Sequence, residues 1–254
     1  MKNHQLKQGK TISGSALALV LLLTIVACSP EEGLGGNAQI RGRIVKKIYN
    51  DDKSLLLATE SAKDEDVFLL FGEEQTVGEK VETSYTGHFQ FGYLWPGDYR
   101  LFYYSDTPNA THGDQVEIVH EISLKRGEEV DLQELEIVKL LDFDDGHAQI
   151  SGRVFKVNYY NFSQWPNLIV KDTSRAQEQE VYLTYGNHSQ YDERIRTNAD
   201  GTFTFKNLIK GTYTIHLFSE DPKGATEDVV ISKTVEINQT ETSTDLGDLY
   251  IYNL

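Results

Sequence analysis

Few side chains in this sequence are spaced to do chemistry, and the clearest group is suited to contact. Tyr159-Tyr160-Asn161-Phe162-Ser163-Gln164-Trp165-Pro166 places aromatic rings beside amide donors. A ring covers the C–H face of a sugar while amides bond its hydroxyls, so Tyr160, Asn161, Gln164 and Trp165 are the candidate ligand-binding residues. The competing reading is a loop that folds its aromatics over the end of a domain or into a joint between domains. A second group, Asp142, Asp144 and Asp145 in Asp142-Phe143-Asp144-Asp145-Gly146, offers hard oxygen ligands for calcium. As an EF-hand loop it fails, because its glycine comes one place early and its twelfth position is Arg153. A looser interdomain calcium site remains the one cofactor expectation, against a solvated acidic hinge. Hydrolytic zinc chemistry is not expected. None of the seven histidines has a glutamate three residues on, and His120-Glu121 lacks the second histidine of a His-Glu-x-x-His pair. Nucleophile elbows, phosphate-cradling loops and dinucleotide fingerprints are absent, so a non-enzymatic protein is expected.

The remaining reactive residue is Cys28. Lys2, Lys7 and Lys10 precede an apolar run from Ala16 to Ala27, broken only by Thr24, which stops at this cysteine. That order is a secretory signal peptide, and the run is too short to cross a hydrocarbon core of about 30 Å. Ile25-Val26-Ala27-Cys28 resembles the lipobox of bacterial lipoproteins. The resemblance implies cleavage before Cys28, lipidation of that residue and anchoring to a membrane, with residues 1–27 as the leader. Ser29 after the cysteine resembles lipoproteins sent to the outer membrane, and Glu31-Glu32 resembles the short acidic signals that carry some to the cell surface. Residues 28–37, with three glycines and little to bury, read as a flexible tether.

Cys28 is the only cysteine, so the folded part must be stabilised by burial without disulfides. Lys and Arg number 24 against 39 Asp and Glu, a net charge of −15. This excludes a nucleic-acid partner, which needs clustered basic residues, and argues against a polybasic membrane contact.

An internal repeat organises everything after the tether. Ala38-Gln39-Ile40-Arg41-Gly42-Arg43-Ile44 returns as Ala148-Gln149-Ile150-Ser151-Gly152-Arg153-Val154 at a shift of 110. Gly87-x-Phe89-x-Phe91 and Leu94-x-x-Gly97-x-Tyr99 return as Gly201-x-Phe203-x-Phe205 and Leu208-x-x-Gly211-x-Tyr213 at a shift of 114. The second copy has therefore gained four residues in its first long loop, the loop that carries Trp165. A period near 110 means duplicated domains. Apolar residues alternate within each copy, as in half-buried strands, and turns such as Asn198-Ala199-Asp200-Gly201 separate them. The expected fold is all-β: two tandem antiparallel Ig-like or transthyretin-like β-sandwiches, residues 38–141 and 148–254, joined by an acidic linker at 142–147.

The glycine of the first strand, the Asp-Gly-x-Phe-x-Phe turn and the Leu-x-x-Gly-x-Tyr motif resemble carboxypeptidase regulatory-like, transthyretin-like domains. In that family such residues build the fold and carry no chemistry. A related family closes a Lys–Asn isopeptide bond using a glutamate four residues after the motif tyrosine; here those positions are Tyr103 and Leu217, so no crosslink is expected. The expected function is a non-enzymatic outer-membrane lipoprotein presenting two sandwiches as a binding or accessory module to an envelope protein. The alternative is a glycan-binding surface lipoprotein of a sugar-uptake system.

Overall fold

The computed structural model describes residues 32–107, 114–160, 167–223 and 228–254. Among these there are strands and no helix, and they form two sandwiches. In the first, β1 (Leu34–Asn50) pairs with β2 (Leu56–Ser61), β5 (His88–Leu94) and β8 (Glu129–Leu141). Facing it, β3 (Asp66–Phe71), β4 (Glu79–Glu82), β6 (Gly97–Asp106) and β7 (Gln115–Leu124) lie in the order β4-β3-β6-β7. The second sandwich repeats this with β9 (Ala148–Tyr159), β10 (Val170–Arg175), β13 (Thr202–Leu208) and β16 (Ser243–Asn253) against β11 (Glu180–Tyr185), β12 (Glu193–Arg196), β14 (Gly211–Ser219) and β15 (Val229–Ile237). Pairing is antiparallel except where β8 joins β1 and β16 joins β9. Each of those last strands returns from the facing sheet, so no tight hairpin forces it to run antiparallel.

Alternation in the sequence becomes the two cores. Ile40, Leu69, Phe91, Leu94, Tyr99 and Leu101 close the first, and Ile150, Leu183, Phe205, Leu208, Tyr213 and Ile215 close the second. A buried threonine staples each sandwich at equivalent places. Thr83 Oγ1 donates to Ala62 O at 2.5 Å and accepts from Glu65 N at 2.9 Å; Thr197 Oγ1 donates to Ala176 O and accepts from Gln179 N at 2.9 Å. Thr197→Val keeps the shape but strands both backbone groups, so we expect a loss of about 1–3 kcal/mol in urea denaturation, largely recovered by Thr197→Ser. Equal stability of the valine variant and wild type would contradict it.

Within the segments read as tether and linker, the described residues 32–37 and 142–147 lie against the sandwiches. β1 already begins at Leu34, whose partner is Leu94. Trp95 N donates to Gly33 O at 2.9 Å, and Ile209 N donates to Phe143 O at 3.0 Å in the second copy. Tyr99 OH takes up Gly33 N at 3.2 Å, while Tyr213 OH lies 3.1 Å from Phe143 O. A Cβ on Gly36 would fall 2.0 Å from Leu94 O, and one on Gly146 2.1 Å from Leu208 O, so both glycines serve a close backbone approach. The three glycines that suggested looseness thus let the chain lie flat against its own sandwich.

The two sandwiches share packing at their joint. Leu57 of the first belongs to the second core cluster, with Ile48 and Leu141 packed against it. Lys210 Nζ donates to Leu57 O. His188 Nδ1 lies 2.7 Å from Asp192 Oδ1, and its Nε2 lies 3.7 Å from Asp51 Oδ2 of the first sandwich. The hydrogen bond to Asp192 holds the imidazole above its usual range, against partial burial, with Asp51 and Asp52 adding to it. A folded pKa above the unfolded one stabilises fully below about pH 6.5 and is lost as pH rises through the folded value. Wild type should therefore lose stability relative to His188→Gln between pH 6 and 8. Because the ring is about one-third exposed the change should stay at or below about 1 kcal/mol. Parallel pH profiles of the urea midpoint would refute this.

Candidate functional site

Both sandwiches carry an open cleft at the same place, where the last strand bulges against the first. The β1–β8 register slips between Arg41 and Arg43, and the β9–β16 register between Asp245 and Asp248. In the second copy the bulge residue is Gly247, at φ 70°; in the first it is Gln133, held at φ 59° with its N–H bonded to Asp131 Oδ1 at 2.8 Å. A side chain in this left-handed conformation is uncommon, and it marks a site where the surroundings impose the backbone. The first cleft has a volume of about 900 Å³, the second about 230 Å³.

Arg41, Arg43, His88, Gln90, Asp131 and Glu134 line the larger cleft around Phe89. Arg41 bridges Glu129 at 2.5 Å and Asp131 at 3.1 Å, while Arg43 pairs with Glu134 at 2.7 Å and donates to Thr86 O at 3.1 Å. The backbone N–H of Gln133, then Arg41, hold Asp131 below the usual carboxylate range. His88 Nδ1 lies 2.9 Å from Thr86 Oγ1, and Gln90 Nε2 donates to Gln39 Oε1 at 2.7 Å. These groups hold one another in fixed positions. They offer further hydrogen bonds to a polar ligand but no aligned nucleophile and base.

A serine–histidine contact does occur, on the outer face of the second sandwich. His216 Nδ1 lies 3.0 Å from Ser232 Oγ, and its Nε2 3.1 Å from Thr184 Oγ1. Thr184 stands where a triad would have a carboxylate, and burial depresses the imidazole pKa, so Ser232 lacks an oriented, charge-supported base. The ring instead joins an aromatic cluster with Tyr182, Tyr191 and Phe218. Phe68, Phe102 and Tyr104 make the corresponding cluster on the first sandwich. Neither cluster was singled out from the sequence. Its signal was aromatic residues on both parities of β6 and β14.

The sequence-predicted residues fare unequally. Cys28, Asn161, Gln164 and Trp165 lie outside the described residues. Tyr160 follows β9 with its N–H bonded to Ile169 O at 3.1 Å; it is exposed, as are Ile169 and Val170. The structure does not gather Asp142, Asp144 and Asp145 into a calcium site. Asp145 Oδ2 accepts from Asp142 N at 3.0 Å, closing a turn, and Asp144 lies toward Glu193, whose carboxyl is pushed up by burial and then by Asp144. Among the described residues, no group of three or more His, Cys, Asp or Glu could hold a metal ion.

A family model described as polysaccharide lyase family 4, domain II, matches residues 168–244. This is most of the second sandwich and less than half of the chain. None of the curated proteins is similar to the chain. Among solved structures, the Bacillus anthracis TIE protein is 18% identical with a TM-score of 0.30, over 84% of this chain and 34% of its own. The chain thus spans about a third of that relative. A minor pilin of Streptococcus agalactiae is 9% identical with a TM-score of 0.30, over 85% of this chain and 96% of its own. A shaft pilin of Lactobacillus rhamnosus GG is 7% identical with a TM-score of 0.24, over 85% of this chain and 98% of its own.

Proposed function

We propose that the protein is a non-enzymatic outer-membrane lipoprotein, held by lipid on Cys28, that presents its two sandwiches as a binding or accessory module to a protein of the envelope. One observation supports the non-enzymatic part: among the described residues, four of the five histidines are held in structural contacts. His88, His188 and His216 are hydrogen-bonded to Thr86, Asp192, and Thr184 with Ser232, and His120 stacks on Tyr103. No described helix is long and apolar enough to cross a membrane, which by itself leaves strands aside. Anchoring in this reading falls to Cys28. Detergent phase partition tests it: wild type should enter the detergent phase and Cys28→Ala the aqueous phase. Wild type in the aqueous phase would contradict the reading.

A glycan-binding role is the second reading, supported by the exposed Tyr160 beside the loop that carries Trp165 and by the family model matched to residues 168–244. Stacking on one or two rings is weak, so affinity for neutral oligosaccharides should lie between high micromolar and millimolar, about −4 to −6 kcal/mol, with little salt dependence. Calorimetric titration of a glycan panel against wild type and Trp165→Ala decides it. Binding that survives the substitution would remove this site, and binding to no glycan would leave the protein-partner reading.

A further inference from the structure

The two copies treat the same end surface differently. In the second copy this end is packed on the first sandwich: Ile209 is buried and Lys210 reaches Leu57 O. In the first copy, Trp95-Pro96 stand in place of Ile209-Lys210, and Tyr93 in place of Asn207. The β6–β7 and β14–β15 registers set Leu124 level with Ile237, so Lys125-Arg126 replace Asn238-Gln239 in the following turn. Tyr93 is 79% exposed, Leu34 52% and Val77 46%, Trp95 is half-buried, and Lys125 and Arg126 are exposed. Leu34 pairs with Leu94, and Gly33 lies against Phe71 and Trp95, so the chain joins the sandwich at this same end.

We infer that this end of the first sandwich is a membrane-contact surface that sits in the headgroup region of a bilayer. The inference depends on the lipidation of Cys28 proposed above. Five residue steps separate Cys28 from Gly33, which fully extended reach at most about 18 Å. A lipid on Cys28 therefore keeps this surface within about 18 Å of the membrane, close enough to touch it. Its chemistry suits that place. Tryptophan and tyrosine favour the boundary between water and hydrocarbon, Leu34 and Val77 add apolar area, and Lys125 and Arg126 attract lipid phosphates on an otherwise acidic protein. Glu73, Glu74 and Asp98 near the same end oppose deeper burial, so the surface stops at the boundary of headgroups and acyl chains, where Trp95 meets the upper acyl carbons.

The test uses full-length lipidated protein carrying Trp165→Phe, which leaves Trp95 as its one tryptophan. It is reconstituted in phosphatidylcholine–phosphatidylglycerol vesicles with or without bromines on the upper acyl chains. Trp95 emission should fall about twofold with brominated lipid, and Lys125→Glu with Arg126→Glu should remove most of that quenching. Equal emission in the two vesicles, with Cys28 shown acylated by mass, overturns the contact surface and leaves the lipoprotein reading standing. Quenching unchanged by the double substitution overturns the role of the basic pair. An unacylated Cys28 defeats both the inference and the reading beneath it.

Discussion

Gly201→Ala and Gly201→Val should destabilise the second sandwich by nearly the same amount, about 3 kcal/mol or more. Gly201 closes the turn before β13 at φ 80°, and a Cβ there would fall 2.5 Å from Val154 O. Left-handed strain of about 1–3 kcal/mol applies to any ordinary residue there, and the clash falls on the first added carbon, so branching adds little. The cost also reaches the ladder, because Val154 N donates to Gly201 O at 2.8 Å and cannot move away without losing that bond. Gly186 supplies the contrast. It too has a positive φ, of 56°, but a Cβ there meets nothing within 4 Å, so Gly186→Ala should cost only about 1 kcal/mol. Urea denaturation followed by circular dichroism reads all three variants. A Gly201→Ala variant as stable as Gly186→Ala would show that the close approach does not limit this turn.

The parts of the fold legible in the sequence are those encoded within a dozen residues. Gly201, Phe203, Phe205, Leu208 and Tyr213 form one turn and two strands, and their spacing fixes turn, core face and strand direction together. The lead-in segments were not legible because composition hid their role. Gly33, Gly35 and Gly36 look like a loose tether, while the surface that requires Gly36 is the backbone at Leu94, far along the chain. One signal was available: Gly36 and Gly146 share the shift of 110 that relates Ala38 to Ala148. The joint escaped for a similar reason. Asp51 and His188 meet only because the sandwiches stack, and nothing local to either residue announces the other. The larger cleft depends on a bulge in β8 that leaves its mark at a single residue, Gln133, which the second copy replaces with glycine.

Cys28→Ala should have the largest effect on the protein's behaviour, moving it almost wholly from membrane to aqueous phase. Each buried methylene contributes about 0.8 kcal/mol, so a long acyl chain is worth on the order of 10 kcal/mol, and two or more give stable anchoring. The aromatic and basic end of the first sandwich is far weaker and would not retain the variant. The sandwiches themselves should be unaffected, because both cores close without this residue. A Cys28→Ala protein that kept wild-type circular dichroism yet stayed in the membrane phase would place the anchor elsewhere.

The most direct measurement is the mass of the amino-terminal peptide from protein purified out of the membrane fraction. That peptide should begin at Cys28 and carry the mass of acyl chains on its sulfur and amine. A peptide that begins upstream of Cys28, or one with an unmodified cysteine, would contradict it.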